Sequence, residues 1–365
     1  MTTKQTSVDE GSKTLPAAGA GRRVVTSLDV SRAAGVSRAT VSRCFTEGAL
    51  VRQSTRERVL SVAEALSYRP NLLARMLNKQ ESNIVAVITA DFHNPFQPAL
   101  MEALTESLRA QGLVPLLLKS GSVDESADGL VELALSYRVS AIIVTVLAAS
   151  RAVIRRCVDR DVPILFLNRV VEDTAAICVC SDVGGGAARA AEVLVEGGAS
   201  RIAIITGKTG TWTHSIRRSG FTTRLQALGL DPVMIEPGDF SYESGCRATA
   251  ALLAASPGLE AIYACNDAMA LGALDTIRLT SSRRVPGDIA VIGFDDVPIS
   301  AWAAYRLSTI HQPVDLLIGH VRQILDRPDR GLALAGQSVV YPCRFIERAT
   351  TRPVRPRPAD TAPGQ

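Results

Sequence analysis

The sequence predicts an N-terminal all-α unit followed by a larger α/β body built of two doubly wound parallel-sheet halves. Helical spacing of apolar residues between about positions 26 and 66 predicts the first unit. From residue 83 onward, short β-branched runs alternate with amphipathic helices, which is typical of parallel α/β sheets. The chain is 47% hydrophobic but only 4% aromatic, as expected for a core rich in Ala, Leu and Val, and its 365 residues allow two to three domain-sized units.

The first two helices are predicted within the segment T-S-L-D-V-S-R-A-A-G-V-S-R-A-T-V-S-R, residues 26 to 43. Thr26 is expected to cap the first helix, with Asp29 three positions on closing a capping box. Gly35 supplies the turn between the helices, and Ser37 caps the second. Two short helices joined in this way have the layout of a DNA-reading helix-turn-helix.

The second helix is expected to turn its polar side outward, because Val41 and Phe45 face the core. The outward residues are then Arg38, Ala39, Ser42 and Arg43. A helix with small residues at its exposed N-terminal end fits a major groove, where an arginine pairs bidentately with guanine. The structural alternative is an ordinary surface hairpin of helices with a few arginines.

A third amphipathic helix opens at Ser54 and ends before Tyr68-Arg69-Pro70, which completes a compact three-helix headpiece. Residues 71 to 78 then form a two-turn amphipathic piece, and about eight residues are too few for a helix that is stable alone.

The headpiece is expected to be the basic part of the chain. Between Arg22 and Lys79 there are eleven basic and four acidic residues, a surplus of seven positive charges, whereas the whole chain carries +4. The remainder therefore carries −3. A basic module on a mildly acidic body is typical of a DNA-binding unit attached to a separate sensor.

The body begins with a predicted strand at Ile84–Ile88, a helix from Pro98 to Gln111 and a second strand at Val114–Leu118. Further buried strands are predicted at 141–146, 163–167, 177–180, 202–206, 261–264 and 289–294. The pattern divides near Cys180 into two halves of similar make-up. Ligands of such sheets bind at the carboxyl ends of the strands, which two facing halves bring opposite one another.

Polar and aromatic residues follow several of these strands and suit a small polar ligand. They are Asp91, Phe96, Asn168, Arg169, Asn266, Asp267 and Asp295, with Arg217 at the start of a helix. Each also has a structural explanation, because Asn266 and Asp267 can cap the next helix, Asp295 can form a turn and Arg169 can be a surface charge.

The sequence predicts no cofactor, no metal site and no enzyme. Seven scattered cysteines without a C-x-x-C pair argue against both a disulfide scaffold and a zinc site. Gly184-Gly185-Gly186 lacks phosphate-loop spacing and is interpreted as a helix start packed closely on a sheet. No signal peptide or run of about 20 apolar residues is found, so a cytoplasmic protein without a membrane partner is expected.

The motif D-V-x-x-x-A-G-V-S-x-x-T-V-S-R, the connector Y-R-P-N-L-L-A-R-M-L and the start I-V-A-V-I of the next domain resemble the lac repressor (LacI) family of bacterial transcription regulators. The resemblance covers about residues 25 to 351. It implies a periplasmic-binding-protein-like body and a dimeric repressor that binds a palindromic DNA operator under the control of a small-molecule effector.

The same resemblance implies roles for particular residues. Base reading falls to Arg38, Ala39 and Arg43, and phosphate contacts to Thr26, Ser37, Thr40 and Ser42. In the hinge, Leu77 wedges into the minor groove, with Leu73 and Ala74 as packing positions. The implied effector pocket consists of Asp91, Phe96, Thr145, Asn168, Arg217, Phe240, Asn266 and Asp295.

The expected organisation is a disordered extension (1–22), the headpiece (23–70), a hinge helix with linker (71–82), the effector-binding and dimerisation body (83–351) and a disordered tail (352–365). Within the body, the first subdomain is expected at about 83–180 plus 312–341 and the second at about 181–311 plus 342–351.

Some alternatives stay open. Where the family commonly shows two apolar residues and an asparagine after V-S-R, this chain has Cys44-Phe45-Thr46-Glu47-Gly48, and Cys44 is interpreted as a buried filler rather than a redox switch. A sugar-binding transport protein and an α/β enzyme are alternative hypotheses for the function of the body alone. A sugar or sugar derivative is the favoured effector and a purine the other, and the effector either induces or co-represses.

Overall fold

The computed structural model describes residues 25–45, 48–69, 82–90, 92, 94–122, 125–145, 147–171 and 175–353. The chain divides into two compact units, Met1–Gln80 and Glu81–Gln365. The predicted hinge helix, the N-terminal extension and nearly all of the predicted tail lie outside the described residues.

In its described residues, the first unit contains three helices, α1 (Ser27–Ala34), α2 (Arg38–Cys44) and α3 (Gln53–Ala65). The predicted caps are confirmed. The backbone N–H of Thr26 donates to Asp29 Oδ2 at 2.9 Å, and Ser37 Oγ accepts from the backbone N–H of Thr40 at 3.1 Å. Gly35 ends α1 in the left-handed region at φ 62°, which favours glycine.

Among the residues of this unit that the structure describes, six buried side chains form the core, namely Val30, Ala34, Val41, Cys44, Val59 and Ala63. Cys44 is 2% exposed and its thiol is free, so the interpretation as a buried filler is confirmed.

The body begins with β1 (Ile84–Thr89), α4 (Phe96–Ala110), β2 (Val114–Lys119), α5 (Asp128–Ser136), β3 (Ala141–Val144), α6 (Arg151–Val158), β4 (Ile164–Leu167) and β5 (Ile177–Asp182). It continues with α7 (Val183–Glu196), β6 (Ile202–Thr206), α8 (Trp212–Ala227), β7 (Met234–Pro237), α9 (Tyr242–Ala255), β8 (Ala261–Ala264) and α10 (Asp267–Thr280). The last elements are β9 (Ala290–Asp295), β10 (Ser308–His311), α11 (Val314–Leu325), β11 (Ser338–Pro342) and β12 (Arg344–Ile346), with short 3₁₀ turns at Pro298–Ala301 and Leu332–Leu334.

These strands form two six-stranded sheets, which we call the first and second lobes. The first lobe has the order β11-β5-β4-β3-β1-β2 and the second the order β12-β10-β9-β8-β6-β7. All pairings are parallel except that of β10 with β12. The inner strands β1, β3, β4, β6, β8 and β9 are buried throughout because helices cover both faces. The predicted fold class is confirmed.

The chain passes between the lobes three times. It leaves the first sheet after Asp182, returns after His311 toward α11, and crosses again at Cys343 between β11 and β12. Residues next to these crossings can therefore contact both lobes.

The triple glycine lies at the start of α7, as predicted. Asp182 caps the helix by accepting from the backbone N–H of Gly185 at 2.8 Å. A Cβ on Gly186 would lie 2.9 Å from both Cys343 Cβ and Ile310 Cγ2, so only glycine allows this close approach of helix and strand.

Four strands were not predicted, namely β7, β10, β11 and β12. β7 and β11 lie at or near sheet edges and alternate between half-buried and exposed residues, so they lack the continuous apolar run that indicates a buried strand. The helix predicted from Pro98 begins two residues earlier, at Phe96, and the strand predicted to Val146 ends at Val144.

Candidate functional site

The outward face of α2 consists of Arg38, Ala39, Ser42 and Arg43, which are all exposed, whereas Val41 is buried. Thr40 is half-buried, and its hydroxyl lies 2.9 Å from Ser37 Oγ. Thr26 is exposed at the start of α1. The face therefore presents two guanidinium groups beside small residues. Leu73, Ala74 and Leu77 lie outside the described residues.

The end of α2 is held by an arginine of α3. Arg56 donates through Nη1 to the carbonyl oxygen of Cys44 at 2.6 Å and through Nη2 to that of Ala49 at 2.8 Å. One planar guanidinium thus bridges the last carbonyl of α2 and the far side of the following loop.

A cavity lies between the two lobes of the body, at the carboxyl ends of their strands. Its non-atom space is about 760 Å³, a figure that includes the part open to solvent. Five of the eight predicted effector residues line it, namely Phe96, Thr145, Asn168, Arg217 and Phe240. Asp91 lies outside the described residues.

Asn266 and Asp295 are not among the lining residues. Asn266 is fully buried, accepts from the backbone N–H of Met269 at 3.0 Å and donates to the carbonyl oxygen of Phe240 at 2.9 Å. Asn266 therefore caps α10 and holds the backbone of the lining residue Phe240. This agrees with the structural explanation, helix capping, that the sequence offered for this asparagine.

Asp295 lies behind the cavity and pairs with Arg217. Arg217 Nη2 donates to Asp295 Oδ1 at 2.7 Å, Nη1 donates to the carbonyl oxygen of Cys265 at 2.6 Å, and the guanidinium carbon lies 3.8 Å from the ring centre of Phe294. The two side chains are only 4% and 0% exposed. Burial raises the pKa of the Asp295 carboxyl, and the donors Arg217 and Gln312 oppose that rise.

A chain of hydrogen bonds continues from this ion pair into the other lobe. Gln312 is fully buried at a crossing between the lobes and donates through Nε2 to Asp295 Oδ1 at 2.6 Å. Its Oε1 accepts from Asn168 Nδ2, also at 2.6 Å, and Asn168 Oδ1 accepts from the backbone N–H of Ser181 at 3.2 Å. The cavity residues Asn168 and Arg217 are therefore linked across the lobes.

Three residues of this site have left-handed backbone angles although none is glycine. Their φ values are 61° for Asn168, 71° for Phe240 and 114° for Asp295. Such conformations cost about 1–3 kcal/mol each and are concentrated at functional sites.

The structure adds cavity residues that the sequence interpretation did not assign to the pocket. They are Asn94, Gln97, Leu167, Lys208, Thr211, Trp212, Thr213 and Asp239. Arg169, which the sequence indicated as suited to a small polar ligand, also lines the cavity. The segment from Lys208 to Thr213 directly follows β6, and the rule that ligands bind beyond the carboxyl ends of strands could have identified it.

Among the described residues, no group of three or more His, Cys, Asp or Glu side chains could hold a metal ion. In the same part of the chain, no helix is long and apolar enough to cross a membrane.

Two family profiles match the chain. Bacterial regulatory proteins of the lacI family match residues 26–71, and the periplasmic binding protein-like domain matches residues 191–351.

Individual relatives extend the match over most of the chain. The ribose operon repressor of Bacillus subtilis is 31% identical over 329 residues, which cover 90% of this chain and 99% of that protein. The HTH-type transcriptional regulator GalS of Salmonella typhimurium is 32% identical over 293 residues, covering 80% and 86%.

Solved structures are similar to this chain over most of its length as well. The lac repressor dimer bound to operator and the anti-inducer ONPF has a TM-score of 0.78 at 29% identity, covering 90% of this chain and 99% of that one. A complex of the transcriptional regulator CelR with cellobiose has a TM-score of 0.65 at 27% identity, covering 89% and 99%.

Proposed function

This chain belongs to the lacI family of bacterial regulatory proteins, and we propose that it is a repressor that binds a palindromic operator as a homodimer under the control of a sugar or sugar derivative. The observation that carries the proposal is the joint presence of an exposed, arginine-bearing helix of a helix-turn-helix and a ligand-sized cleft between the lobes of a separate unit. The relatives are transcriptional regulators rather than enzymes.

The proposed base contacts are made by Arg38, Ala39 and Arg43. An arginine can pair bidentately with guanine, and a small side chain beside it lets the helix approach the bases. We assign phosphate contacts to Thr26, Ser37, Thr40 and Ser42, because short hydroxyl side chains and helix N-termini commonly bind phosphate. We assign the minor-groove contact to Leu77, with Leu73 and Ala74 as packing positions.

A sugar fits the cavity because its walls combine ring faces with hydrogen-bonding groups. Phe96 and Phe240 can cover the apolar face of a sugar ring, and Thr145, Asn168 and Arg217 can bond its hydroxyl or ring oxygens. We also assign Asp91 to this pocket. Relatives named for ribose and cellobiose support a saccharide effector.

A homodimer is proposed because one headpiece reads only a few base pairs, and two reading helices about 34 Å apart match a palindromic site. The proposed place of action is the bacterial cytoplasm, at chromosomal DNA.

The proposed switch is a change in the angle between the lobes on effector binding. Residues 71–82 connect the body to the headpiece, so a new lobe angle alters the spacing of the two hinge segments of a dimer. An effector that favours one angle then strengthens or weakens operator binding in proportion to its preference for that state.

The test is DNA binding by the Arg43→Ala variant of the full chain. We expect its affinity for a selected operator to fall by about 1–3 kcal/mol, because a base contact is lost, while its affinity for random duplex changes little. Fluorescence anisotropy at fixed salt measures both affinities.

The matched control is Arg58→Ala, which removes an exposed arginine of α3 outside the proposed reading face. Equal losses on operator and random duplex would show that Arg43 contacts only phosphate. Failure of the wild-type protein to distinguish any genomic site from random duplex would refute the proposed function itself.

A further inference from the structure

We propose that residues 297–299, an apolar segment of the second lobe, form a latch that holds the two lobes at the angle of this structure. The segment lies just after β9, which ends at Asp295, and it includes the start of the short 3₁₀ turn at Pro298–Ala301. The inference goes beyond the proposed function, because a latch between the lobes is measurable without DNA and without effector.

Val297 is packed into the core of the other lobe. It is 3% exposed and belongs to the buried apolar cluster that strands β1, β3, β4 and β5 and helices α4 and α11 form in the first lobe. Among the described residues, Val297 is the only buried member of that cluster that comes from the second lobe. Ile299 packs against this cluster and also against the core of the second lobe. The segment therefore bridges the two apolar cores.

The backbone just before Val297 is held in an uncommon conformation. The φ values of Asp295 and Asp296 are 114° and 59°, and such angles in residues with a side chain persist only where the surrounding structure holds them. The backbone N–H of Val297 donates to the buried carboxyl group of Asp267 at 2.9 Å. This constrained turn directs the chain from the end of β9 toward the first lobe.

The side chain of Asp296 is bound on both of its carboxylate oxygens. Oδ1 accepts from Arg348 Nη2 at 2.6 Å, and Oδ2 lies 3.0 Å from His311 Nδ1. Burial raises the pKa of the Asp296 carboxyl, but the hydrogen bonds from His311 and Arg348 outweigh burial and lower that pKa below its ordinary value. Asp296 is thus a charged carboxylate, and charge-assisted hydrogen bonds are roughly twice as strong as neutral ones.

The same arginine also holds the segment on its far side. Arg348 Nη1 donates to Ser300 Oγ at 3.1 Å and to the carbonyl oxygen of Leu307 at 2.8 Å. Ser300 is fully buried, and its backbone N–H donates to the carbonyl oxygen of Val297 at 2.9 Å. One planar guanidinium therefore fixes the chain before and after residues 297–299, which the single point charge of a lysine cannot do.

The latch is connected to the cavity through Phe96. This residue lines the cavity and belongs to the same first-lobe core as Val297. When the lobes separate at this point, Val297 leaves its apolar surroundings and meets water, which is unfavourable. Because packed interfaces switch between discrete arrangements, the lobes have a latched and an unlatched angle. An effector that moves Phe96 changes the balance between these two angles.

The experiment measures the distance between the lobes of the full chain by pulsed electron paramagnetic resonance. Spin labels are attached to a ketone-bearing amino acid at the exposed positions Glu106 of α4 and Glu243 of α9, because the seven native cysteines compete for thiol labels. Labelled protein is diluted into an excess of unlabelled protein, so that each measured distance lies within one chain. We expect the wild type to show one narrow main distance.

The decisive variant is Val297→Ala. It removes two methyl groups from an apolar contact that exists only at the latched angle, so we expect the ratio of latched to unlatched protein to fall roughly tenfold in favour of a second distance. Val291→Ala is the matched control, because Val291 is fully buried within the core of the second lobe. This control should lower the melting temperature without changing the distances.

Arg348→Gln is a second variant, which leaves the apolar contact itself intact. It removes the donors that hold the chain on both sides of the segment, so we expect it to populate the same second distance. Arg344→Gln, at an exposed arginine of β12, is its control and should leave the distances unchanged.

Three results would overturn the inference. They are a broad distance distribution in the wild type, wild-type distances in both Val297→Ala and Arg348→Gln, and the same second distance in Val291→Ala. The proposed function is tested separately, because operator binding by the same samples persists if only the latch is wrong.

Discussion

Asp267 is a buried carboxyl group at the start of α10, outside the cavity lining. Its Oδ2 accepts from the backbone N–H of Val297 at 2.9 Å, and Oδ1 shares a 2.5 Å hydrogen bond with the hydroxyl of Thr309. Burial raises the pKa of Asp267 well above its ordinary value, and the nearby charge of Asp295 adds to the rise. The protonated form is thus favoured in the folded state.

This rise in pKa predicts the direction of a pH effect. A group with a raised folded-state pKa contributes stability that is full below its ordinary pKa, about 3.9 for Asp, and lost as pH rises through the folded-state value. Asp267→Asn keeps an acceptor for the Val297 N–H and removes the titration, and the Thr309 hydroxyl, which donates to Asp267 in the wild type, turns to accept from the new amide. We expect the stability of the variant relative to wild type to rise as the pH increases above the ordinary Asp value of about 3.9, because the wild-type carboxyl must then either keep its proton or become a buried charge.

Urea unfolding followed by tryptophan fluorescence measures this gain, because the chain's two tryptophans, Trp212 and Trp302, both lie in the body. Asp159→Asn, at an exposed carboxyl, is the control. Parallel stability curves for wild type and Asp267→Asn across the pH range would contradict the raised pKa.

Single residues show what sequence reasoning could and could not identify. Asn168 was predictable because it follows a strand at the edge where ligands bind, whereas Arg217, the sixth residue of α8, was assigned to the pocket by the family resemblance. Asn266 follows a strand equally well but caps a helix, and only the coordinates separate these two uses of an asparagine. Lys208 and Trp212 follow β6 at the same sheet edge, and they were missed because the strand-end rule was applied only to the residues nearest the other strand ends.

At the scale of elements, the recognition helix α2 depends on its anchor to α3. Its seven residues are too few for stability alone, so the bond from Arg56 to the carbonyl of Cys44 and the cap from Ser37 hold its two ends.

Arg56→Lys is expected to loosen α2, because an ammonium cannot reproduce the planar fork that bridges Cys44 and Ala49. We expect the headpiece to lose about 1–3 kcal/mol of local stability and operator affinity to fall severalfold. Hydrogen exchange of the amides of residues 38–44 and anisotropy with operator DNA measure these changes.

Arg58→Lys, on the exposed side of the same helix, should change neither quantity. Unchanged exchange in α2 of Arg56→Lys would remove Arg56 as its anchor.

Helices and strands with a strong local sequence pattern, an apolar run or a capping residue, were predictable. β6 and β8 occur at the predicted residues because each is a buried apolar run, and the capping residues placed α1 and α2. β10 and β12 were not predicted, since the first contains Ser308 and Thr309 and the second has only three residues. Their pairing comes from tertiary contacts that local sequence does not show.

At the scale of the whole molecule, the account depends on Gln312 as the link between the lobes. It bonds Asn168 of the first lobe and Asp295 of the second. Because Asn168 and Arg217 also line the cavity, an effector that moves either of them changes a bond that spans both lobes.

We therefore expect Gln312→Met to bind the effector, with an altered affinity. We expect its operator affinity to change less on effector binding than that of the wild type. Allosteric couplings are typically about 1–3 kcal/mol, and we expect most of this coupling to be lost. The ratio of operator affinities with and without effector measures it, and calorimetry measures effector binding. Gln226→Met, at an exposed glutamine of α8, is the control, and an undiminished ratio in Gln312→Met would exclude the link.

The most direct test of the central claim is selection of genomic DNA fragments by the intact protein at low salt, with and without the metabolites that stabilise it. The account predicts enrichment of a few fragments that share a two-fold symmetric sequence, with enrichment that changes when an effector is present. Recovery of fragments no different from the starting library, under both conditions, would contradict it.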